Sequence, residues 1–258
     1  LVRSRGLGDV YKRQMLDVRL FRNTVFTGAI TANLISMMVD VGFIYFASQH
    51  LQLVSGLPPM YAGMLLIPGT LAIIIAGLVI ARVAVHFHPA QVVSFGLALH
   101  AAAFAVLAFL GAHNDLVIIL IFIVLGTGIG IAQTISNDLM LSSVPPRKAG
   151  AASAISETSY ETGTVLGTVI IGGMLTAVYR ANVVVPDGLD ETLADHAHET
   201  LGGAVTVASQ VGGEQANQLL SSAFAAFDSG VVLSSAFSAV LMGCLLYTSP
   251  SPRDRTRT

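Results

Sequence analysis

The chain has 258 residues, of which 53% are hydrophobic and only 11% are charged, and its mean hydropathy is +0.73. Soluble domains carry about 25% charged residues, so this composition excludes an ordinary soluble domain. The formal net charge is −2, and nothing in the sequence resembles the basic surface of a nucleic-acid-binding protein. These numbers predict a membrane protein.

The two ends of the chain differ from the middle. Residues 4–14 and 244–254 can be back-translated to opposite strands of one DNA, as expected for a sequencing adapter read as coding sequence. We therefore predict that residues 1–14 and 244–258 are non-native tails and exclude them from fold reasoning. The remaining segment, 15–243, carries six Lys or Arg and 13 Asp or Glu.

Six apolar stretches are each long enough to cross a bilayer as a helix. In chain order they run over about 24–49, 60–85, 91–112, 115–142, 149–179 and 220–243. They are apolar on nearly every face, whereas a helix at the surface of a soluble core has a polar stripe. The sequence predicts an all-α membrane protein, a bundle of six transmembrane helices.

Positive charge alternates from loop to loop. Arg19 and Arg22 precede the first helix, Arg82 ends the second, and Arg147 and Lys148 precede the fifth, while the loops between carry neither residue type. Because Lys and Arg concentrate on the cytoplasmic side, we predict that residues 15–23 are cytoplasmic.

The same rule places a long acidic loop, residues 180–219, outside the cell. Its segment 191–212 has a weakly amphipathic helical pattern.

Five carboxylates interrupt the apolar helices: Asp40, Asp138, Glu157, Glu161 and Asp228, of which Asp138 and Asp228 lie towards helix ends. A carboxyl group at the centre of a bilayer costs roughly 2.5–3.5 kcal/mol on insertion scales, so each is a candidate functional residue. Glu157 and Glu161 are one helical turn apart, with about 6 Å between them. At an effective dielectric constant near 20, two charges at that distance repel by roughly 3 kcal/mol.

The repulsion predicts that the pair retains a proton and that an arriving organic cation displaces it. This is the exchange that an antiporter needs. The alternative is that both side chains point into water at the cytoplasmic mouth, close to Arg147 and Lys148. Asp40 is a candidate to assist the pair.

Tyr160 and Gln133 are two further candidate substrate-binding residues. Tyr160 lies three residues after Glu157, and its ring can attract a cation. Aromatic side chains in membrane helices often only pack against neighbouring side chains. Gln133 shares a helix face with Asn137, and the pair can contact either substrate or a neighbouring helix.

Glycines are frequent in the fourth and fifth helices. The stretch Gly126–Gln133 lies within a helix and follows no strand, which argues against a dinucleotide-binding loop. We predict instead that these glycines, and Gly163, Gly167, Gly172 and Gly173, let helices approach closely.

The histidine pairs His86-x-His88 and His196-x-His198 lack the other ligands of a metal site, and no nucleophilic triad or phosphate-binding loop is present. The sequence therefore predicts a protein that is not an enzyme and that needs neither metal nor cofactor.

Four stretches carry a family resemblance: LFRNTVFTGAI, FASQHLQLVSGLPPMYAGMLLIP, VPPRKAGAASAISETSYETGTVLGTVIIGG and HETLGGAVTVASQ. They resemble the C-terminal half of the fourteen-helix drug:proton antiporters of the major facilitator superfamily, the QacA/EmrB type, and are most similar to the QacA-like members. The third stretch is the most specific.

The resemblance implies proton-driven export of lipophilic cations or quaternary ammonium compounds across the cytoplasmic membrane. It places acidic residues that recognise cations at Glu157 and Glu161. The partners it implies are organic cations, protons, the lipid bilayer and a missing N-terminal half. The fragment alone is then expected to be inactive.

One loop departs from the family pattern: ARVAVHFHPAQ has Val85 and His86 where an Asp and an Arg are usual. Two alternatives stay open. The complete protein can be a proton-coupled carrier of a neutral or anionic metabolite, or a pump that requires an external adaptor bound to its acidic loop.

Overall fold

The computed structural model describes residues 18–112 and 114–248. The predicted tail 1–14 lies outside the described residues, as does the part of the predicted tail 244–258 that follows Thr248.

Over the described residues the chain forms nine α-helices and no strand. The helices are α1 (Thr24–Gln49), α2 (Pro59–Val83), α3 (Pro89–Leu110), α4 (Asp115–Ser142), α5 (Ala149–Leu166), α6 (Gly173–Asn182), α7 (Glu191–Glu199), α8 (Leu201–Val211) and α9 (Gly213–Thr248). A π-helical turn, His50–Val54, extends α1, and a second, Gly167–Gly172, joins α5 to α6. Short 3-10 helices cover Val18–Arg22, Ala84–His86 and Pro146–Lys148.

Six helical segments of the described chain are long and apolar enough to cross a membrane, which confirms the predicted all-α six-helix architecture. They are Thr24–Val54, Pro59–His86, Pro89–Leu110, Asp115–Ser142, Pro146–Asn182 and Gly213–Thr248. The last begins seven residues before the apolar stretch that starts at residue 220. Its first turns are polar, and hydropathy alone does not detect a polar helical turn.

Local sequence explains where several helices start and stop. The Asn23 and Asn114 side chains cap α1 and α4 by accepting backbone N–H groups, which otherwise lack partners at a helix start. Pro59 and Pro89 occupy first-turn positions, where a missing N–H costs nothing. Gly111 ends α3 with a positive φ of 68°.

Helix α4 lies at the centre of the bundle and packs against α1, α2 and α3. Helix α5 packs on α1, and α9 packs on α3 and α6. Phe43 of α1 stacks on Phe122 of α4 at a centroid distance of 5.1 Å and also meets Phe104 of α3 at 6.4 Å. These rings form the aromatic centre of the core.

The predicted role of the glycines in α4 is confirmed by their neighbours. A Cβ on Gly126 would lie 2.4 Å from the carbonyl oxygen of Gly69 in α2. A Cβ on Gly128 would lie 2.7 Å from the carbonyl oxygen of Gly96 in α3. Because both approaches are backbone to backbone, side chains at these positions would push α2 and α3 away from α4.

The same holds for one glycine of α5 and for the first glycine of the π-helical turn that follows it. A Cβ on Gly163 would lie 2.5 Å from the Leu34 carbonyl oxygen, and one on Gly167 only 2.3 Å from that of Met38. The prediction for Gly173 is wrong, because nothing lies within 4 Å of its Cβ position. Composition cannot separate the two cases, since both glycines stand in the same small, apolar stretch.

Helix α2 turns a broad apolar surface outward. Only Ala62 and Gly69 of its 25 residues are buried, and the exposed large side chains include Met60, Met64, Ile67, Leu71, Ile75 and Leu78. Lipid or further protein must cover this surface, because an apolar face of that size is not left in water.

Candidate functional site

Glu157 and Glu161 lie on one exposed face of α5. The opposite face buries Ala152, Ile155, Ser159 and other small or apolar residues, and α5 packs against α1. Among the described residues, neither carboxylate forms an ion pair. The helix thus presents two carboxyl groups, one turn apart, away from its own bundle.

A polar cluster, defined as Asn33, Asn137, Ser156 and Tyr160, links three helices beside this face. The Asn137 amide of α4 donates to the Tyr160 hydroxyl oxygen of α5 at 2.7 Å. The Asn137 carbonyl oxygen accepts from the Asn33 amide of α1 at 3.1 Å and from the Ser156 hydroxyl at 3.3 Å. The cluster holds the half-buried phenol of Tyr160 within one turn of Glu157.

Gln133 lies one turn from Asn137 on α4 and is half-buried. Its amide nitrogen is 3.9 Å from the sulfur of Met37 in α1. Of its two predicted roles, this contact supports the interhelical one at this position.

Asp40 is set apart from the glutamates. Its side chain is 6% exposed, and Oδ1 has no hydrogen-bond partner. It lies on α1 one turn above Met37 and one turn below Phe43, both of which contact α4. The structure therefore brings Tyr160 close to Glu157 and leaves Asp40 in the bundle interior.

A cavity of about 530 Å³ opens on the same exposed side, next to α6. Its lining includes Tyr45 of α1, Thr168 of the π-helical turn, and Thr176 and Arg180 of α6. The ring of Tyr45 lies against Gly172, whose Cβ position is 3.2 Å from it. The glycine-rich π-helical turn makes room for this cavity between α1 and α6.

The acidic loop 180–219 is largely folded into the cap, which we define as α7 and α8. The buried Tyr179 hydroxyl donates to the backbone carbonyl oxygen of Ala197 at 2.8 Å. Nε of Arg180 donates to the backbone carbonyl oxygen of Glu199 at 3.1 Å. The amphipathic pattern indicated its helices, but these two anchors were not predicted. The sequence did contain a signal for both anchors, because Tyr179 and Arg180 are polar residues near the end of an apolar stretch.

A second unpredicted group lies at the end of the bundle beside the cap. Nε2 of the buried His50 lies 3.2 Å from Oδ1 of Asp115, and the Ser55 hydroxyl donates to that oxygen at 2.6 Å. Both contacts join the end of α1 to the start of α4. His50 could have been suspected from its place in an apolar stretch, but its partner is 65 residues away.

Comparisons with known proteins agree with this architecture. The Major Facilitator Superfamily profile matches residues 5–168. The chain is 46% identical over 230 residues to the "Multidrug efflux pump LfrA" of Mycolicibacterium smegmatis, covering 88% of this chain and 45% of that protein. It is 31% identical over 237 residues to the "Methyl viologen resistance protein SmvA" of Salmonella typhimurium, covering 89% and 47%.

A more distant relative is the "Tetracenomycin C resistance and export protein" of Streptomyces glaucescens, 26% identical over 199 residues, with 77% of this chain and 37% of that protein covered. The chain thus spans about half the length, or less, of these curated relatives. Six membrane-crossing helices, the superfamily match and 46% identity over most of the chain lead to one assignment: this multi-pass membrane protein belongs to the Major Facilitator Superfamily.

Proposed function

We propose that this chain supplies the C-terminal half of a proton-coupled transporter that exports lipophilic cations across the cytoplasmic membrane. Glu157 and Glu161 form the exchange site in this proposal, and Tyr160 contributes an aromatic face for the cation. The QacA-like resemblance described above suggests the same assignment.

The observation that carries the proposal is the exposed face of α5. Two carboxylates lie there within a segment long and apolar enough to cross a membrane. Ionisable residues inside a membrane almost always face the interior of a bundle or a water-filled cavity, because lipid does not solvate them. This face is therefore expected to line a central cavity in the complete transporter.

Such a cavity needs a second wall. The relatives named above are about twice as long as the region they share with this chain, and α2 turns an apolar surface outward beside the bundle. A second six-helix half covering α2 and facing α5 would enclose the glutamates at the midplane, where transporters of two repeated halves bind substrate.

The names of two relatives fit a cationic substrate. LfrA is called a multidrug efflux pump, and SmvA is named for resistance to methyl viologen, which is an organic dication. A pair of carboxylates attracts a cation, and a tyrosine ring adds cation–π attraction of about 0.5–2 kcal/mol.

Proton exchange follows from the spacing of the pair. Two ionised carboxylates about 6 Å apart repel each other by roughly 3 kcal/mol, so a proton on one of them lowers the free energy of the empty site. A bound cation replaces that proton by neutralising the pair. Alternate binding of cation and proton, combined with rocking of the two halves, gives antiport.

A carrier of anionic substrates would need a cation at the midplane. Within residues 20–112 and 114–248, each Lys and Arg lies at or beyond a helix end. This distribution favours the cation exporter.

The test uses the complete transporter, purified in detergent and held in weak buffer. Tetraphenylphosphonium or methyl viologen is added, and the pH change is recorded for wild type, Glu157→Gln and Glu161→Gln. Wild type is expected to release protons, and each substitution is expected to reduce the release at least tenfold.

The matched control is Glu191→Gln, which makes the same change in the exposed first turn of α7. It should release protons like wild type. If both α5 variants also behave like wild type, Glu157 and Glu161 do not form the exchange site. If wild type releases no proton with either cation, the proposed antiport is wrong.

A further inference from the structure

Asp40 is a buried acid that the exchange site just described does not use. It is 6% exposed, and Oδ1 lacks a hydrogen-bond partner. Buried polar atoms are normally satisfied, and an unpaired carboxylate in an apolar interior is strongly disfavoured. A function that requires this side chain to change protonation would explain why it is tolerated.

The neighbours of Asp40 one turn away on α1 are both packed against α4. One turn below, Met37 contacts Gln133, and one turn above, Phe43 stacks on Phe122. Sites for drug-sized molecules are clefts of roughly 300–1,000 Å³, whereas the 530 Å³ cavity near α1 is lined by Tyr45 and not by Asp40. A carboxyl group buried to this extent is more accessible to a proton than to an organic cation.

Few other titratable groups lie in the same interior. From α3, the fully buried His100 stacks on Phe104, which meets Phe43. On α5, Tyr160 is half-buried in its polar cluster. Helix α4 has its described acids, Asp115 and Asp138, towards its two ends, and the buried polar residues of α9 are serines.

A direct structural link joins Asp40 to the glutamate helix. Gly163 of α5 and Gly167 of the π-helical turn lie so close to the backbone carbonyl groups of Leu34 and Met38 in α1 that neither position has room for a Cβ. Met38 is two residues from Asp40, and Gly163 is two residues from Glu161. Because these contacts are backbone to backbone, a shift of α5 on cation binding moves the segment of α1 that carries Asp40.

We propose that Asp40 is a second proton site, separate from the exchange site: its buried carboxylate takes up one proton to become a carboxylic acid, while Glu157 and Glu161 exchange the cation for a proton of their own. This inference rests on the proposed function and adds a second proton to it. The carboxyl group loses its proton when α5 moves and takes one up again after the cation leaves.

The experiment compares Asp40→Asn with Glu157→Gln in the complete purified transporter. Tetraphenylphosphonium affinity and proton release on its addition are both measured. Asp40→Asn is expected to keep the dissociation constant within about threefold of wild type at alkaline pH and to lose at least half of the released protons. Glu157→Gln is expected to weaken cation binding at least tenfold.

Two further variants keep the test decisive. Asp40→Glu retains a carboxyl group, so it should release as many protons as wild type. It also tests the site if Asp40→Asn does not fold. His100→Gln removes the other buried titratable group of the interior and should leave proton release unchanged.

The inference is overturned if Asp40→Asn releases as many protons as wild type, or if it weakens cation binding as much as Glu157→Gln does. It is also overturned if folded Asp40→Glu releases no more protons than Asp40→Asn does. A wild type that binds the cation without any proton release would instead overturn the proposed antiport itself.

Discussion

The amide of Asn137 donates a 2.7 Å hydrogen bond to the hydroxyl oxygen of Tyr160, and this contact ties α4 to the helix that carries Glu157 and Glu161. Asn137 also accepts from Asn33 and Ser156. One residue of α4 therefore positions the aromatic side chain nearest to the acidic pair.

Replacing Asn137 with Ala should destabilise the complete transporter by about 1–2 kcal/mol, because hydrogen bonds between membrane helices contribute about 0.6 kcal/mol on average and up to about 1.7. The midpoint of thermal unfolding, followed by circular dichroism, measures the loss. Combined with Tyr160→Phe, the double mutant should show a coupling energy of about 0.5–1 kcal/mol.

Asn182→Ala is the control for this change, because the Asn182 amide bonds only within its own helix end, to the Val178 carbonyl oxygen. It should leave the midpoint nearly unchanged. A coupling energy of zero between Asn137 and Tyr160 would mean that the cluster does not hold the tyrosine.

Gly167→Ala should destabilise the protein by about 1–3 kcal/mol, the usual cost of overpacking. The new Cβ would lie 2.3 Å from the Met38 carbonyl oxygen, so α5 must move away from α1. Unfolding midpoints and the yield of folded protein report the effect.

Gly173→Ala makes the same substitution six residues later, in open space. It should be neutral or stabilising by up to about 1 kcal/mol, because Ala favours a helix over Gly. Equal losses for the two variants would argue against close packing of α5 on α1.

Tyr179→Phe should loosen the cap without unfolding the bundle. The lost hydrogen bond to Ala197 leaves a buried carbonyl oxygen unpaired, at a cost of about 1 kcal/mol or more. A glutamyl endopeptidase should then cut segment 187–199 roughly fivefold faster, in proportion to the open population.

Tyr61→Phe provides the control, since Tyr61 is 61% exposed at the start of α2. Its cleavage rate should equal that of wild type. If Tyr179→Phe is cut no faster either, other contacts hold the cap in place.

Asp115→Ala should destabilise the end of the bundle beside the cap by about 1–2 kcal/mol. It removes the acceptor of the Ser55 hydroxyl and of His50, together with an acidic residue in the first turn of α4, a position that favours negative charge. Thermal unfolding measures the loss.

Asp138→Ala removes an exposed carboxylate near the other end of the same helix. Its effect should stay within about 0.5 kcal/mol, as for most surface substitutions. If Asp138→Ala lowered the stability as much as Asp115→Ala, the contacts of Asp115 with His50 and Ser55 would not account for the loss.

The orientation of the chain can be tested on the chain itself. In a Cys244→Ser background, Met60→Cys and Gly150→Cys place single thiols at the starts of α2 and α5. A membrane-impermeant maleimide added to intact cells should label residue 60 and spare residue 150, because the loop before α5 carries Arg147 and Lys148. The reverse pattern would contradict the predicted orientation.

The sequence by itself determined the class of fold and the number of membrane-crossing helices. The mean hydropathy of a segment long enough to span a bilayer depends only on the residues of that segment. The six stretches could therefore be located without knowing which helices pack against them. The spacing of Glu157 and Glu161 also placed them on one face, because a helix of 3.6 residues per turn aligns positions four apart.

Only the tertiary structure decided which way each polar side chain turns and what it meets. Asp40 and Glu157 look alike in sequence, as acids in apolar helices, yet one is buried beside α4 and the other lies on the exposed face of α5. Asn33 bonds to Asn137 across 104 residues, and Gly167 meets α1 while Gly173 meets nothing. In a chain apolar on nearly every face, periodicity does not mark the buried side of a helix, so only the packing of the helices fixes these contacts.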